Sequence, residues 1–384
     1  MSEVVNIPQL RFPEFNGEWE EKALGVVATI TTGSTPSTSN NEYYDGDVAF
    51  VSPADIQGNR IVRSTKTTIT ELGLSVVREI KKRSTLFVCI GSTIGKVSQA
   101  GVNCATNQQI NALTAKNSFD NDFIYSLLEF KAPRIKLLAG VQAVPQINKS
   151  EFSRFKFTFP LLPEQQKIAA FLTAVDNKIE QLSKKQALLG EYKKGLMQQI
   201  FSQAIRFKAD DGCDFPDWKE KKLGSLCEIT TGKLDANAMV KDGQYRFYTC
   251  AKEYYKIDDY AFDTDALIVS GNGANVGYIH HYQGKFNAYQ RTYVLDSFTD
   301  NIVFVKFVLD GYLHKRIMKE KNEGNTPYIV MGTLTDMKIN LPSFSEQTKI
   351  SNFLSSIDNK IEQVGKQLDE SKQFKKALLQ QMFV

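Results

Sequence analysis

The chain has 384 residues, 42% of them apolar and 23% charged, a composition that fits a globular protein with two or three cored domains. It has no run of 18 apolar residues, so no membrane span is expected, and its start, MSEVVNIPQLRFPEF, lacks the basic-then-apolar order of a signal peptide. The net charge of +4 and pI near 8.5 permit a nucleic-acid partner without requiring one.

In chain order, a short apolar strand over 26–30 leads into the turn ITTG at Ile30. Strands are predicted around 48–51, 86–90 and 110–113, and then an amphipathic helix over 123–138. A Pro-marked loop follows, then a strand ending at Pro160 and a long helix over 164–201. The same elements then recur. They are a strand over 226–229 with a second ITTG at Ile229, strands at 245–249, 266–270 and 293–295, a helix over 303–319, a strand ending at Pro342, and a second long helix.

The recurrence is a sequence repeat. Between 160–181 and 342–363, 13 of 22 positions are identical at an offset of 182. The offset holds upstream: Gly91 and Gly95 match Gly273 and Gly277, Gln108 matches Gln290, Arg134 matches Arg316, and Pro145 and Ile147 match Pro327 and Ile329. Near the start of each half the offset is 199, pairing Trp19 with Trp218 and the two ITTG turns. The first half therefore carries about 17 extra residues between Gly33 and Leu86. The expected divisions are 1–159 and 205–341 for the two domains, and 160–204 and 342–384 for the helical segments.

The first long helix has an apolar stripe at Ile168, Phe171, Leu172, Val175, Ile179, Leu182, Leu189, Tyr192 and Leu196. The second has Ile350, Phe353, Leu354, Ile357, Ile361, Val364, Leu368, Phe374 and Leu378. Positions 168, 175, 182, 189 and 196 fall at sevens, the period of a left-handed coiled coil. Each helix packing only on its own domain is one reading. Pairing of the two is the sharper one, and a pseudo-twofold relation between the repeats makes that pair antiparallel. Helix-pair packing is then assigned to Ile168, Phe171, Val175, Leu182 and Leu189 against Ile350, Phe353, Ile357, Val364 and Leu378. Pro163 suits a first helical turn, and Ser343 with Glu346 reads as a capping box. The stretches LRF at Leu10 and IRF at Ile205 mark where each repeat begins, so the C-terminus is expected near the start of the first repeat. A helix over 164–201 is about 57 Å long at ~1.5 Å per residue. That is the length of roughly 17 base pairs at about 3.4 Å each, as suits a ruler for a two-part site.

No catalytic set is complete. Histidine occurs only at 280, 281 and 314, and no HExxH or Cys/His cluster is present, so no metal site is expected. The five cysteines form no CxxC pair, so reduced thiols and a cytoplasmic location are expected. GSTIGK at Gly91 is one residue short of a P-loop, lacks the Ser/Thr after Lys96, and is followed by strand-like sequence. GNGANVG at Gly271 is likewise followed by the strand-like YIHHY. NTPY at Asn325 has threonine where a methyltransferase signature has proline, and the triplet Glu79-Ile80-Lys81 is only half of a nuclease motif.

What recurs instead is polar, Gly-rich loops. The first half has Thr32, Gly33, Ser34 and Thr35; Gly91, Ser92, Thr93 and Lys96; and Asn107, Gln108 and Gln109. The second has Thr231, Gly232 and Lys233; Asn272, Asn275 and Tyr278; and Gln290 and Arg291. Such loops offer N–H groups to phosphates and amide or cationic side chains to base edges, so these residues are the DNA-binding candidates. Turn building alone also explains any one of them. The glycine framework is kept between the halves while the side chains change.

With these features the chain resembles, over essentially its full length, the specificity (S) subunit of type I restriction–modification enzymes. The residues that carry the resemblance are PLLPEQQKIAAFLTAVDNKIEQL, KKGLMQQIF, their second copies, and GSTIGK…NQQ. The resemblance implies an α+β chain with two α/β target recognition domains separated by an antiparallel pair of long helices. Each domain would read, in the major groove, one half of an asymmetric bipartite target in double-stranded DNA. It implies no catalysis and no cofactor in this chain. Two adenine-N6 methyltransferase (modification) subunits docked on it would use S-adenosylmethionine, and translocase–nuclease (restriction) subunits would join them in host defence. The second copy departs at GNGANVG and Arg291. The other functional reading is a non-catalytic scaffold whose two domains bind proteins.

Overall fold

The computed structural model describes residues 6–139, 145–320 and 327–384. They form two compact units, Met1–Lys185 with Val364–Val384, and Gln186–Gln363. The long helices are Leu162–Phe201 and Phe344–Met382, so each unit contains a stretch of both.

In the first unit a five-stranded sheet runs in the order Ala28–Thr32, Ile110–Ala115, Thr85–Val88, Val97–Ala100, Ile61–Val62. The second unit repeats the first four places as Glu228–Thr231, Thr292–Asp296, Phe262–Ser270 and Ile279–Ala288. The fourth strand shows where the repeats part. Ile279–Ala288 is continuous and pairs in parallel with Tyr245–Tyr248, which in turn pairs with Tyr255–Ile257. Its counterpart in the first unit is cut into Val97–Ala100 and Cys104–Thr106. At the cut, a Cβ on Gly101 would stand 2.7 Å from the Val62 carbonyl oxygen. Ile61–Val62, from the surplus of the first repeat, joins the first piece in parallel, and Tyr44–Val51, the counterpart of Tyr245–Tyr248, joins the second within a separate three-stranded sheet completed by Thr67–Ile69.

A helix then packs against each sheet, Asn121–Leu138 and Ile302–Glu320. Asp120 caps the first through its carboxylate, which accepts from the Asp122 and Phe123 amides at 2.9 Å. The sequence reading differs at the start of each repeat. Residues 24–27 form a short helix, Leu24–Val27, before the strand, and Leu223–Ser225 is a 3-10 turn. Leu24, Val27, Leu223 and Leu226 point their apolar mass into the core from these turns, which mimics a strand in the sequence.

The long helices join each core from opposite ends. In the first unit Ile168, Ala169 and Leu172 share a cluster with Leu378, Leu379, Met382 and Phe383. In the second, Ile200 and Phe201 share one with Ile350, Leu354 and Ile357. Early residues of one helix meet late residues of the other, so the pairing within each unit is antiparallel. Leu182, Val364 and Leu378 are buried, Phe171, Val175 and Phe353 pack on the cores half-buried, and Leu189 is half-buried. Tyr192 and Phe374, assigned to the stripe, are instead exposed at 56% and 53%. The seam alternates steps of four and three and reaches the next residue, Lys193 or Lys375. The Lys193 ammonium sits 2.6 Å from Asp358, and that of Lys375 sits 2.6 Å from Asp176. Each of these pairs is the repeat image of the other.

Both domains are held to the start of a long helix by the same polar anchor. Arg11 grips Glu164 with two bonds, 2.8 and 2.7 Å, and the Trp19 indole donates to the same carboxylate at 3.3 Å. Arg206 grips Glu346 at 3.2 and 2.9 Å, and Trp218 donates to it at 3.1 Å. The Glu346 carboxylate therefore does not close the expected capping box; only its amide lies near Ser343 Oγ, at 3.4 Å. Gln165 and Gln347 beside them donate to the Pro160 and Pro342 carbonyls at 2.8 and 3.0 Å. They also accept from the Asp120 and Asn301 amides at 3.1 and 2.9 Å. The C-terminal residues lie beside the start of the first repeat, as expected. The Leu10 amide donates to the Gln381 carbonyl at 2.9 Å, as the Ile205 amide does to that of Gln199 at 3.2 Å.

Candidate nucleic-acid interface

Three loops converge at one end of each sheet in the same backbone frame. The Gly33 amide donates to the Ile110 carbonyl at 3.0 Å, and the Gly232 amide to that of Thr292 at 3.1 Å. A side chain is impossible at either glycine. Its Cβ would lie 2.1 Å from the Asn107 carbonyl oxygen or 1.9 Å from that of Ala288. In the second loop the Ile94 amide reaches the Gly91 carbonyl at 3.1 Å and the Gly95 amide reaches that of Val88 at 3.0 Å. The repeat images, Val276 to Gly273 and Gly277 to Ser270, measure 3.1 and 2.8 Å. All four glycines of this turn have φ between 77° and 91°, which L side chains disfavour. In the third loop the Ile110 amide bonds back to Asn107, and that of Thr292 bonds back to Tyr289.

This frame revises one sequence expectation. The amides of Gly33, Gly91, Gly95, Gly232 and Gly277 are all committed to carbonyls within their own domain. They build the turns rather than offering N–H groups outward. What the frame presents is side chains. In the first unit Thr35 Oγ1 donates to Gln108 Oε1 at 2.7 Å, Thr32 Oγ1 to Asn111 Oδ1 at 2.7 Å, and Asn107 Nδ2 to Gln109 Oε1 at 3.0 Å. Thr35, Ser92 and Gln108 are exposed, and Thr32, Ser34, Thr93, Lys96, Asn107 and Gln109 are half-buried. In the second unit Lys233, Tyr278, Gln290 and Arg291 are exposed, and Thr231, Asn272 and Asn275 are half-buried. Asn275 Nδ2 donates to the Cys250 carbonyl at 3.1 Å, tying its loop to the segment after Tyr245–Tyr248.

Reasoning from the sequence missed two features here. Arg78, in the extra segment of the first repeat, is exposed and donates to the Thr32 carbonyl at 2.7 Å. In the second unit the Arg246 guanidinium lies 4.3 Å from the centres of both the Tyr254 and Tyr282 rings. Tyr248, His280 and Tyr278 extend that cluster with tilted and edge-on rings, neighbouring centres 4.9 Å apart. Burial, with Arg246 nearby, pushes the His280 imidazole below its ordinary pKa, against the bond to the Ala251 carbonyl that favours its charged form. The aromatic run YRFY…YIHHY is its only trace in the sequence.

The enzyme-like motifs resolve as structure. GSTIGK is followed by strand Val97–Ala100 and GNGANVG by strand Ile279–Ala288. Glu79 accepts from Asn103 at 2.9 Å, and Asn325 and Thr326 of NTPY lie outside the described residues. Among the described residues, no group of three or more His, Cys, Asp or Glu side chains is placed to hold a metal ion, and no helix is long and apolar enough to cross a membrane. All five cysteines are free.

Comparison with known proteins accords with this repeated architecture. Residues 16–189 and 216–371 match the family described as the type I restriction modification DNA specificity domain. Over 168 residues the chain is 43% identical to the type I restriction enzyme EcoDI specificity subunit of Escherichia coli, covering 42% of this chain and 37% of that one. It is 23% identical to the MjaVIII specificity subunit of Methanocaldococcus jannaschii over 96% of this chain and 92% of that one. Among solved structures, the type I restriction-modification S subunit from M. genitalium superposes with a TM-score of 0.70 at 19% identity, over 98% of this chain and 99% of that one. A chain from a structural study of type I R-M complex assembly and conformational transition gives 0.54 at 16% identity, over 95% and 97%. At those identities the likeness is one of fold. The match to the family over both repeats is direct: the chain belongs to the type I restriction modification DNA specificity family.

Proposed function

We propose that the chain is the DNA sequence-specificity subunit of a type I restriction–modification enzyme and itself carries out no catalysis. Residues 1–159 and 205–341 are the target recognition domains, and each reads one half of a bipartite, asymmetric target. Residues 160–204 and 342–384 are the helical segments that set the spacer and dock two modification subunits. Those partners, not this chain, hold S-adenosylmethionine and methylate adenine. Restriction subunits complete the assembly, which acts in the cytoplasm. The observation that carries this reading is the loop frame, which is the same in both units and bears different side chains. Thr93, Lys96 and Gln109 of one stand where the other has Asn275, Tyr278 and Arg291. A shared scaffold with a changed surface is what two readers of two different half-sites require. The side-chain candidates are Thr35, Ser92, Lys96, Gln108 and Gln109 in the first domain, with Lys233, Asn275, Tyr278, Gln290 and Arg291 in the second.

The test is to co-express the chain with its modification subunit in a host lacking adenine methylation and sequence the methylome. The expected result is one bipartite motif with a fixed spacer. Methylation without a motif refutes the reading. Binding that does not weaken with salt favours a protein-binding scaffold, because phosphate contacts release counterions.

A further inference from the structure

We propose that the extra segment of the first repeat is a strap that fixes the angle of the first recognition domain on the long helices, with Arg60 as its positioning residue. Arg60 is only 7% exposed, and its guanidinium joins three different elements. Nε donates to Gln99 in the main sheet at 3.0 Å. Nη2 pairs with Asp122, in the first turn of the domain's own helix, at 3.0 Å. Nη1 pairs with Asp176 of the first long helix at 2.9 Å. The Tyr125 ring lies 4.8 Å from the guanidinium carbon. The backbone beside it is equally fixed. The Gln99 amide donates to the Arg60 carbonyl at 2.7 Å, and Ile61–Val62 is a strand of the sheet. One helical turn beyond Asp176, Arg63 reaches Glu180 at 3.2 Å.

The second unit has the same long-helix position and none of the strap. Asp358, the repeat image of Asp176, pairs with Lys193, and its side chain is 42% exposed against 8% for Asp176. Tyr125 and Glu129 become Phe307 and Gly311 at the repeat offset, and the segment that carries Arg60 has no counterpart. Apolar contacts between a domain and a helix allow small tilts at little cost. A buried guanidinium that satisfies three fixed acceptors does not, because any tilt strands a desolvated charge.

This inference rests on the recognition reading above. One base pair more or less in the spacer shifts a half-site by about 3.4 Å along the axis and turns it by about 35°. Accepting such a site requires the domain to tilt, so the strap enforces spacer length. The test uses the complex with the modification subunit on a plasmid library in which the spacer is native, one base pair longer or one shorter. Arg60→Met and Asp176→Asn are each expected to raise methylation of off-length sites relative to native ones by about tenfold, or about 1.4 kcal/mol. Base preference within each half-site is expected to stay as it was, and Arg60→Lys to fall between. If Arg60→Met does not fold, Asp176→Asn decides alone, since it keeps the shape of the site and leaves Lys375 paired with Glu129. Variants that melt earlier yet keep the native spacer ratio overturn the proposal, because a merely structural role predicts that. A wild-type complex that methylates with no motif at all refutes the recognition reading itself, and this proposal with it.

Discussion

Replacing Glu164 by alanine tests what holds the first domain to its helix. The carboxylate is 3% exposed and accepts three bonds, two from Arg11 and one from the Trp19 indole. Removing one partner of a buried ion pair costs about 3–5 kcal/mol, and an orphaned buried donor costs about 1–3. These costs do not add in full. Arg11 is 12% exposed and also donates to the Gly17 and Asn16 carbonyls at 2.6 and 3.1 Å, which keep part of its charge solvated. The expected loss for Glu164→Ala is therefore about 3 kcal/mol, and for Glu164→Gln, which keeps one acceptor oxygen, about half of that. Each unit contains one tryptophan, bonded to its own anchor, so the units report separately. Urea unfolding followed by Trp19 fluorescence in a Trp218→Phe background isolates the first. The mirror experiment, Glu346→Ala read by Trp218 in a Trp19→Phe background, should give a similar loss. A loss below about 1 kcal/mol for Glu164→Ala refutes the reasoning, since it puts the anchor in the range of a solvent-exposed pair.

Three other outcomes are expected. Four residues inserted after Leu182 lengthen the first long helix by about 6 Å and should lengthen the methylated spacer by one or two base pairs with both half-sites unchanged; methylome sequencing reads this, and an unchanged spacer refutes the ruler. His280 is held below its ordinary value of about 6.5, so between its folded value and 6.5 the unfolded chain binds the extra proton and stability rises with pH. Melts read by Trp218 should therefore fall as the pH drops from about 7.5 to about 5.5, and His280→Phe should flatten the fall. Opening the chain between Ser202 and Ala204 and joining Val384 to Asn6 by a short linker should give a folded permutant with native circular dichroism, because the Leu10–Gln381 bond already repeats the Ile205–Gln199 bond.

The parts of the fold that are legible in the sequence are those written twice. The offset of 182 locates both long helices, and the glycines that survive in both copies, Gly91 with Gly273 and Gly95 with Gly277, mark turns that only positive φ can close. Glu164-Gln165 and Glu346-Gln347 are also written twice, yet hydrophobic patterning hides them. They are polar residues at buried positions, and their partners lie over a hundred residues away for Arg11, Trp19, Arg206 and Trp218. A polar pair kept between two otherwise diverged repeats was the available signal. Tyr192 and Phe374 misled for the opposite reason. Hydropathy places an aromatic ring in the seam, whereas the seam holds the adjacent lysine, whose charge is met from the other helix. The strap was visible only as surplus length. Nothing in a string of residues says that an arginine in an insertion will be buried against a carboxylate 116 positions later.

The first unit closes its core with the far end of the chain. Leu378, Leu379, Met382 and Phe383 sit in one cluster with Trp19, Phe123 and Leu172. The second unit is a single continuous stretch, Gln186–Gln363. On a ribosome the domain made first must therefore wait. Its sheet emerges early, but the residues that seal it leave the exit tunnel only after the whole second unit has been synthesised. At about 5–20 residues per second, the nearly two hundred intervening residues leave an apolar cleft open for roughly ten to forty seconds. The order of synthesis and the order of completion are reversed, and a chain cut short just after Gln363 has its second unit whole and its first unit open.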